Sequence, residues 1–358
     1  MTQETGDVVT TVPGEDREYY DQIRFWNYFD HVARQLNRRS TGDENVAWYD
    51  MLLERGPRFR RALVLNCGSG WVERALLQIG LVESAVGIDI SDASLEEARR
   101  EAAALGLAAE YRRVDINVDP LPDGPFDLVL NYAAAHHIAA LDRVMRDVAA
   151  RMTPDGLFVN WDYVGPHRNQ FTARQWEAAW EVNQTLPEHL RQNMIYPHIE
   201  TMLYGDPTEA VHSELIVSTI GRYFDIDEYR PLGGAVGYLL LTHNLPFYSL
   251  PLDDVLPSVV SVMEADEAFL EAHPEDTLFA FFTAHPKSDP PSDEQVAVWA
   301  ADERDREQRA ARNGGEYYPR TMLSRISAEL LQAAEPPPEA PAAPPPQVPT
   351  FRAAAASR

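Results

Sequence analysis

Between residue 62 and about residue 286, short apolar runs alternate with segments whose apolar positions recur every three or four residues. Residues 62–67, 85–89, 110–114, 126–132 and 157–163 read as strands, each short and bounded by turn formers. Residues 72–79, 91–105 and 138–152 carry helical spacing, with Ser91 as an N-cap, Gly106 as a stop and a turn over 153–156 closing the third helix. This alternation predicts an α/β doubly wound fold, a parallel sheet covered by helices on both faces. Further along, residues 172–186 and 208–222 read as helices and 223–230 and 277–285 as the last two strands. Between those strands lies an insertion, 232–276, with a helix near 255–271.

The flanks differ from this middle region, 62–287. Residues 1–14 are polar and read as disordered. Residues 15–61 form a helical, aromatic-rich N-terminal cap, with Tyr19, Trp26, Phe29, Val32 and Leu36 among its apolar positions. Residues 288–334 read as a charged helical extension, and 335–358 as a Pro/Ala-rich disordered tail. The net charge of -25 argues against nucleic-acid and anionic-membrane partners, because both need Lys and Arg to meet phosphate. No apolar run approaches the ~20 residues of a membrane-spanning helix. The single Cys excludes an internal disulfide framework and suits a cytoplasmic location.

The chemistry concentrates where strands meet helices. Residues 63–71 read Leu-Val-Leu-Asn-Cys-Gly-Ser-Gly-Trp, a strand running into a glycine turn and then a helix. Glycine there permits the tight turn and lets the backbone approach a ligand closely. The second strand ends in Asp89, where a carboxylate can bond both hydroxyls of an adenosine ribose; the plainer alternative is a helix-entry residue ahead of Ser91. A dinucleotide site requires a further glycine beside its pyrophosphate. Glu73 stands there instead, so a nucleoside cofactor without phosphate fits better, and a dinucleotide oxidoreductase is disfavoured.

Taken together, these stretches resemble the class I S-adenosylmethionine-dependent methyltransferases. Residues 63–70, Val86-Gly-Ile-Asp-Ile-Ser91, Val114-Asp-Ile-Asn117, Phe126-Asp-Leu-Val-Leu-Asn131, Ala135-His-His-Ile138 and Met152-Thr-Pro-Asp-Gly-Leu-Phe158 follow the family's order. The segments Asp162-Tyr-Val-Gly-Pro-His-Arg168 and Leu186-Pro-Glu-His-Leu-Arg191 are similar to a bacterial subgroup that methylates sugars, polysaccharides and natural products. The resemblance implies a mostly parallel, seven-stranded, Rossmann-like sheet and S-adenosylmethionine as cofactor. It places Asn66, Cys67, Gly68 and Gly70 in the glycine loop, with the two glycines against the methionine part. Asp89 would hold the ribose, Ile90, Asp115 and Ile116 the adenine, and Asn131 and Tyr132 the methionine moiety. Two positions depart from the family: Asn66 replaces an acid, and Trp71 replaces a glycine. They keep open a protein that binds the cofactor in a scaffolding or other catalytic role.

Methyl transfer to oxygen requires the acceptor hydroxyl to lose a proton, a task for a positioned base. His136 and His137 follow the fourth strand and Asp162 closes the fifth, so His136 and Asp162 are expected to form a His–carboxylate pair. Adjacent histidines at a helix start also serve as caps or packed rings. His167 and Arg168 lie just beyond and are candidates for contacting a small-molecule acceptor, Arg168 by a bidentate grip on a carboxylate or phosphate. Tyr19, Trp26, Tyr196, Tyr204 and Tyr238 are candidates for an aromatic lid or for core.

Overall fold

The computed structural model describes residues 25–56 and 58–312; the expectations for 1–24 and 313–358 lie outside these residues. Seven strands form one sheet: β1 (Phe59–Leu65), β2 (Val82–Asp89), β3 (Ala109–Arg113), β4 (Phe126–Tyr132), β5 (Met152–Tyr163), β6 (Phe224–Gly233) and β7 (Phe279–Pro286). Their order is β3-β2-β1-β4-β5-β7-β6. Every pair from β3 across to β5 is parallel, while β7 runs antiparallel to both β5 and β6. Strand order reverses between β1 and β4, so a crevice opens at their carboxyl ends, where ligands bind in such sheets.

Period-two alternation splits the strands between two cores. Ala62 and Val64 face one layer, and Leu63 and Leu65 the other. The second layer buries Val144, Met145 and Val148 of α5 (Leu141–Arg151) and Ile216 and Ile220 of α8 (Ile216–Tyr223). On the first layer lie α1 (Asp30–Thr41), α2 (Trp48–Arg55), α3 (Trp71–Gln78) and α4 (Asp92–Ala104). Beside them pack α6 (Ala173–Thr185) and, within 232–276, α9 (Gly237–Leu241), α10 (Leu245–Ser249) and α11 (Leu252–Ala272). The one remaining helix of this region is α7 (Ile199–Gly205).

Two boundaries differ from expectation. The polar stretch 153–156 is no turn; β5 begins at Met152, which pairs with Phe126, and the register then jumps to Leu128 with Leu157. The Thr-Pro-Asp-Gly residues bulge out of a continuous strand. Residues 208–212 are not helical either. Ala210 takes a left-handed φ of 49°, and its carbonyl accepts from the Arg168 N–H, so tertiary bonds replace the helical ones. The final helix, α12 (Asp293–Arg312), packs on α5. Glu303 accepts from the backbone N–H groups of Asp142 and Arg143, capping a helix start that has no cap of its own.

One buried carboxylate joins the N-terminal helices to the insertion. Asp266 of α11 accepts from the backbone N–H groups of Gly234, Val236 and Gly237 and from Nη1 of Arg39 on α1 at 2.7 Å. Arg39 also donates to the Leu232 carbonyl and to Glu267. Asp266→Ala leaves three buried N–H groups without their acceptor and takes one of two carboxylates from a nearly buried guanidinium. It is expected to cost about 3–5 kcal/mol in urea unfolding; a loss below about 1 kcal/mol would show that the cap and insertion are not coupled through this residue.

Candidate active site

The crevice is built from the ends of β1, β2, β4 and β5. After Leu65 the chain turns through three left-handed residues, Asn66 (φ 44°), Gly68 (54°) and Gly70 (73°). The two glycines do different things. A Cβ placed on Gly68 would meet nothing within 4 Å, so this part of the loop faces open space. A Cβ on Gly70 would sit 2.5 Å from the Tyr111 hydroxyl; its missing side chain makes room for a β3 ring and not for a ligand. Cys67 also points inward: it is buried, and burial with the neighbouring Glu73 pushes its thiol far up.

Glu73 corrects another expectation. It does not flank a ligand but lies fully buried beneath the loop, beside Cys67 and Tyr111, against Gly87 of β2. Neither carboxylate oxygen has a hydrogen-bond partner among the described residues, and burial pushes the carboxyl up to about 7. Asp89 ties the loop to β2. Its Oδ2 accepts from the Gly68 N–H and its Oδ1 from the Ser91 N–H, both at 2.8 Å. Each oxygen keeps a lone pair for a hydroxyl. Ile90 is half-buried beside it. Asp115 bonds within its own turn through the Asn117 N–H, and Ile116 is buried in the second core.

The ends of β4 and β5 form a buried polar cluster around Asp162. Its Oδ2 accepts from Asn131 Nδ2 (2.9 Å) and from the backbone N–H groups of Ala134, Ala135 and His136; its Oδ1 accepts from the Tyr163 N–H (2.7 Å). The same Oδ1 takes Nδ1 of His136 at 2.6 Å, so the expected pair is present. Burial opposes charge on Asp162, but His136 and these donors outweigh it and hold the carboxyl below its usual range. Asn131 is consumed inside this cluster, between Asn160, Asp162 and the Ala135 N–H, and presents nothing to a ligand. Burial likewise opposes charge on His136, yet Asp162, Glu209 and Asp206 raise it to about 9. Burial and the His136 charge lower His137.

Sequence reasoning missed the other half of this corner. The irregular 206–212 segment brings Thr208 against Nδ1 of His137 (3.0 Å) and Glu209 Oε2 to 3.8 Å from Nε2 of both His136 and His137. Only the bond from the Val211 N–H to the His136 carbonyl and those from residues 167–168 reveal the placement, and no local motif encodes them. His167 and Arg168 are therefore not substrate contacts. Both are buried; His167 Nδ1 donates to the Val211 carbonyl, and Arg168 donates to the Glu209 carbonyl. Trp26 and Tyr196 are buried, Tyr238 packs on Trp26, Tyr163 and Phe279, and Tyr19 and the Tyr204 side chain lie outside the description. The aromatic wall of the crevice is instead Trp48, Trp71 and Trp161 around Tyr132, with Trp71 44% exposed and edge-on to Tyr132.

Residues 63–160 match the family described as a methyltransferase domain. Over this stretch the chain carries a methyltransferase domain similar to those of the class I S-adenosylmethionine-dependent enzymes. It is 25% identical over 182 residues to the uncharacterized methyltransferase YcgJ of Bacillus subtilis, covering 45% of this chain and 72% of that one. It is 31% identical over 97 residues to the ubiquinone biosynthesis O-methyltransferase of Sinorhizobium fredii, covering 27% of this chain and 38% of that relative. Among solved structures, an S-adenosylmethionine-dependent methyltransferase from Mesorhizobium loti superposes with a TM-score of 0.41 at 18% identity, over 66% of this chain and 96% of that one.

The cofactor of this methyltransferase is S-adenosylmethionine, and the loop fits it: Gly68 leaves open space, and Asp89 keeps acceptors beside that space. No helix among the described residues is long and apolar enough to cross a membrane. The buried Glu73 sets a pH dependence. Below about pH 4.5 the carboxyl is protonated whether folded or not. As pH rises toward 7 the unfolded chain ionises while the folded one keeps its proton, so stability falls, and above 7 the loss is complete. Glu73→Gln is expected to exceed the parent's stability by up to about 3 kcal/mol at pH 8 and by almost nothing near pH 4.5, read by urea unfolding; an equal gain at both pH values would rule out ionisation as the cause.

Proposed function

We propose that this methyltransferase methylates a hydroxyl oxygen of a small acceptor, and that the hydroxyl is activated at the His136 corner. The observation that carries the reading is the short His136–Asp162 contact, because it fixes one ring nitrogen and turns the other, Nε2, toward Glu209. Asn66 supports it. Its Nδ2 donates to the Ala134 carbonyl at 3.3 Å, joining the glycine loop to the turn that carries His136. An acid at that position offers no such donor, so the departure from the family pattern has a local reason.

Bound S-adenosylmethionine supplies an electrophilic methyl on a sulfonium. Asp89 would hold its ribose hydroxyls, the open backbone at Gly68 would border its methionine part, and Asn66 Oδ1 would accept from its ammonium. The faces of Tyr132 and Trp71 would line the pocket near the sulfonium, as aromatic rings attract cations. His136 and His137 would face the acceptor. The cofactor would supply its methyl to the acceptor oxygen, its C–S bond breaking with the electron pair left on sulfur, and the hydroxyl proton would be given up at this corner and pass to solvent. Much of the acceleration comes from holding oxygen, carbon and sulfur in line. The acceptor's class, a sugar or natural-product hydroxyl, follows the subgroup resemblance of the 162–168 and 186–191 segments. A cytoplasmic setting suits the buried, reduced Cys67.

His136→Ala is expected to lower turnover of a hydroxylated acceptor by roughly 10²–10⁴-fold while leaving calorimetric affinity for S-adenosylhomocysteine within about twofold. Unchanged turnover would remove His136 from the mechanism. Asp89→Ala is expected to weaken S-adenosylhomocysteine by roughly 10- to 100-fold, the loss of charge-assisted hydrogen bonds to two hydroxyls. If the parent binds neither nucleoside, the ligand assignment of this crevice fails as a whole.

A further inference from the structure

The side chains around His136 make more than a His–carboxylate pair. His136, His137 and Glu209 offer ligand atoms that all lie within 4.8 Å of one another. Glu209 Oε2 is 3.8 Å from Nε2 of each ring. With metal–ligand bonds of about 2.1 Å, two tetrahedral ligands stand about 3.4 Å apart, so a closing of a few tenths of an ångström brings Glu209 to ligand spacing from each ring.

The orientation of the rings is the second, independent observation. Nδ1 of His136 is held by Asp162 at 2.6 Å. Nδ1 of His137 is held by Thr208 Oγ1 at 3.0 Å, and that hydroxyl in turn donates to Asp206 Oδ1 at 2.7 Å. The hydroxyl proton is thereby committed to Asp206, so Thr208 Oγ1 accepts from His137 and Nδ1 is the protonated nitrogen. In the neutral rings that bind a metal, both Nε2 lone pairs then stand 3.8 Å from Glu209. A carboxylate or hydroxyl behind each imidazole, fixing its tautomer and aiming its free nitrogen, is the outer shell characteristic of histidine metal ligands. The backbone that carries Glu209 is fixed as well: Arg168 donates to the Glu209 carbonyl, and the neighbouring Val211 N–H bonds the His136 carbonyl. His136, His137 and Glu209 are half-buried, so the cluster is reachable from solvent.

We infer that His136, His137 and Glu209 bind one divalent first-row transition ion, Zn²⁺, Co²⁺ or Mn²⁺ in class, whose open side takes the acceptor oxygen. Two imidazoles select such ions over Mg²⁺ or Ca²⁺, which prefer oxygen-only sites. The inference rests on the proposed acceptor site and names the agent that acts there. A cation at this point lowers the pKa of a hydroxyl it holds. The hydroxyl proton goes to water, the oxygen lone pair forms the C–O bond, and the C–S pair remains on sulfur.

The test uses the full chain, stripped with a chelator and titrated with Co²⁺ while visible absorption is followed. One equivalent with an intense d–d band is expected. Glu209→Gln and His137→Ala should each weaken Co²⁺ at least tenfold, and Thr208→Val should weaken it roughly tenfold by removing the hydroxyl that orients the His137 ring. His273→Ala serves as the control, because His273, Glu275 and Asp276 form the other such cluster among the described residues. Far-ultraviolet circular dichroism confirms that each variant is folded, and the near-isosteric Gln and Val variants keep the test alive should the Ala variant fail. No band, or binding lost only in His273→Ala, overturns the inference. Chelator-resistant methyl transfer that still requires His136 also overturns it, yet leaves the acceptor site standing. Co²⁺ binding with the expected variant pattern and no methylation of any hydroxylated acceptor would uphold the metal site and sink the O-methylation reading.

Discussion

A single buried carboxylate organises the corner that carries the paired histidines. Asp162 has no exposure to solvent, and a charge so placed is tolerated only when donors surround it. All but the Tyr163 N–H come from the end of β4 and the turn after it: the side chain of Asn131, the N–H groups of Ala134, Ala135 and His136, and the His136 ring. Satisfying Asp162 therefore dictates the path of the chain after β4 and the direction of the imidazole at once. The left-handed Ala133 (φ 50°) is the local strain this path requires, and the short 3-10 turn over Ala135–His137 is its outcome.

Around this corner the two sides of the crevice are joined by ordinary hydrogen bonds. Asn66 reaches from the glycine loop to the Ala134 carbonyl, and Asn117, beyond β3, accepts from the N–H groups of Ala139 and Ala140. The turn bearing the histidines is thus held from β1, β3 and β5 together. Rigid placement of this kind is what an in-line displacement needs, because an error of an ångström in oxygen position is costly.

Beneath the glycine loop the logic is steric. Gly70 and Gly87 both yield space to Tyr111, and Gly87 also yields to Glu73. The glycine pattern that signals a nucleotide loop is here partly a packing requirement, and only Gly68 faces open space. The N-terminal helices and the 232–276 insertion close the same face of the sheet as one layer, with Trp26 packed on Phe279 and Tyr238, and Asp266 clasped by Arg39. Segments far apart in the chain share one core because neither amphipathic face is buried without the other.

The sheet was legible from the chain because strand and helix are local properties. Apolar runs such as 126–132 and the capped helix after Ser91 carry their own periodicity and termini. The neighbours Asp89 and Gly68, and His136 and Asp162, were legible too, since parallel strands bring successive carboxyl ends to one edge. Where pattern and structure part, long-range contacts decide. Thr153–Gly156 looks like a turn by composition, but pairing with β4 keeps it within β5 as a bulge. Residues 208–212 have helical spacing, but bonds from Arg168 and to His136 pull them into an irregular segment that delivers Thr208 and Glu209. Arg168 has the chemistry of a surface anion binder, yet lies buried as a prop for that segment. A charge's chemistry is written in the sequence; whether it meets water, a ligand or a carbonyl depends on contacts between residues distant along the chain, and only the folded structure supplies them.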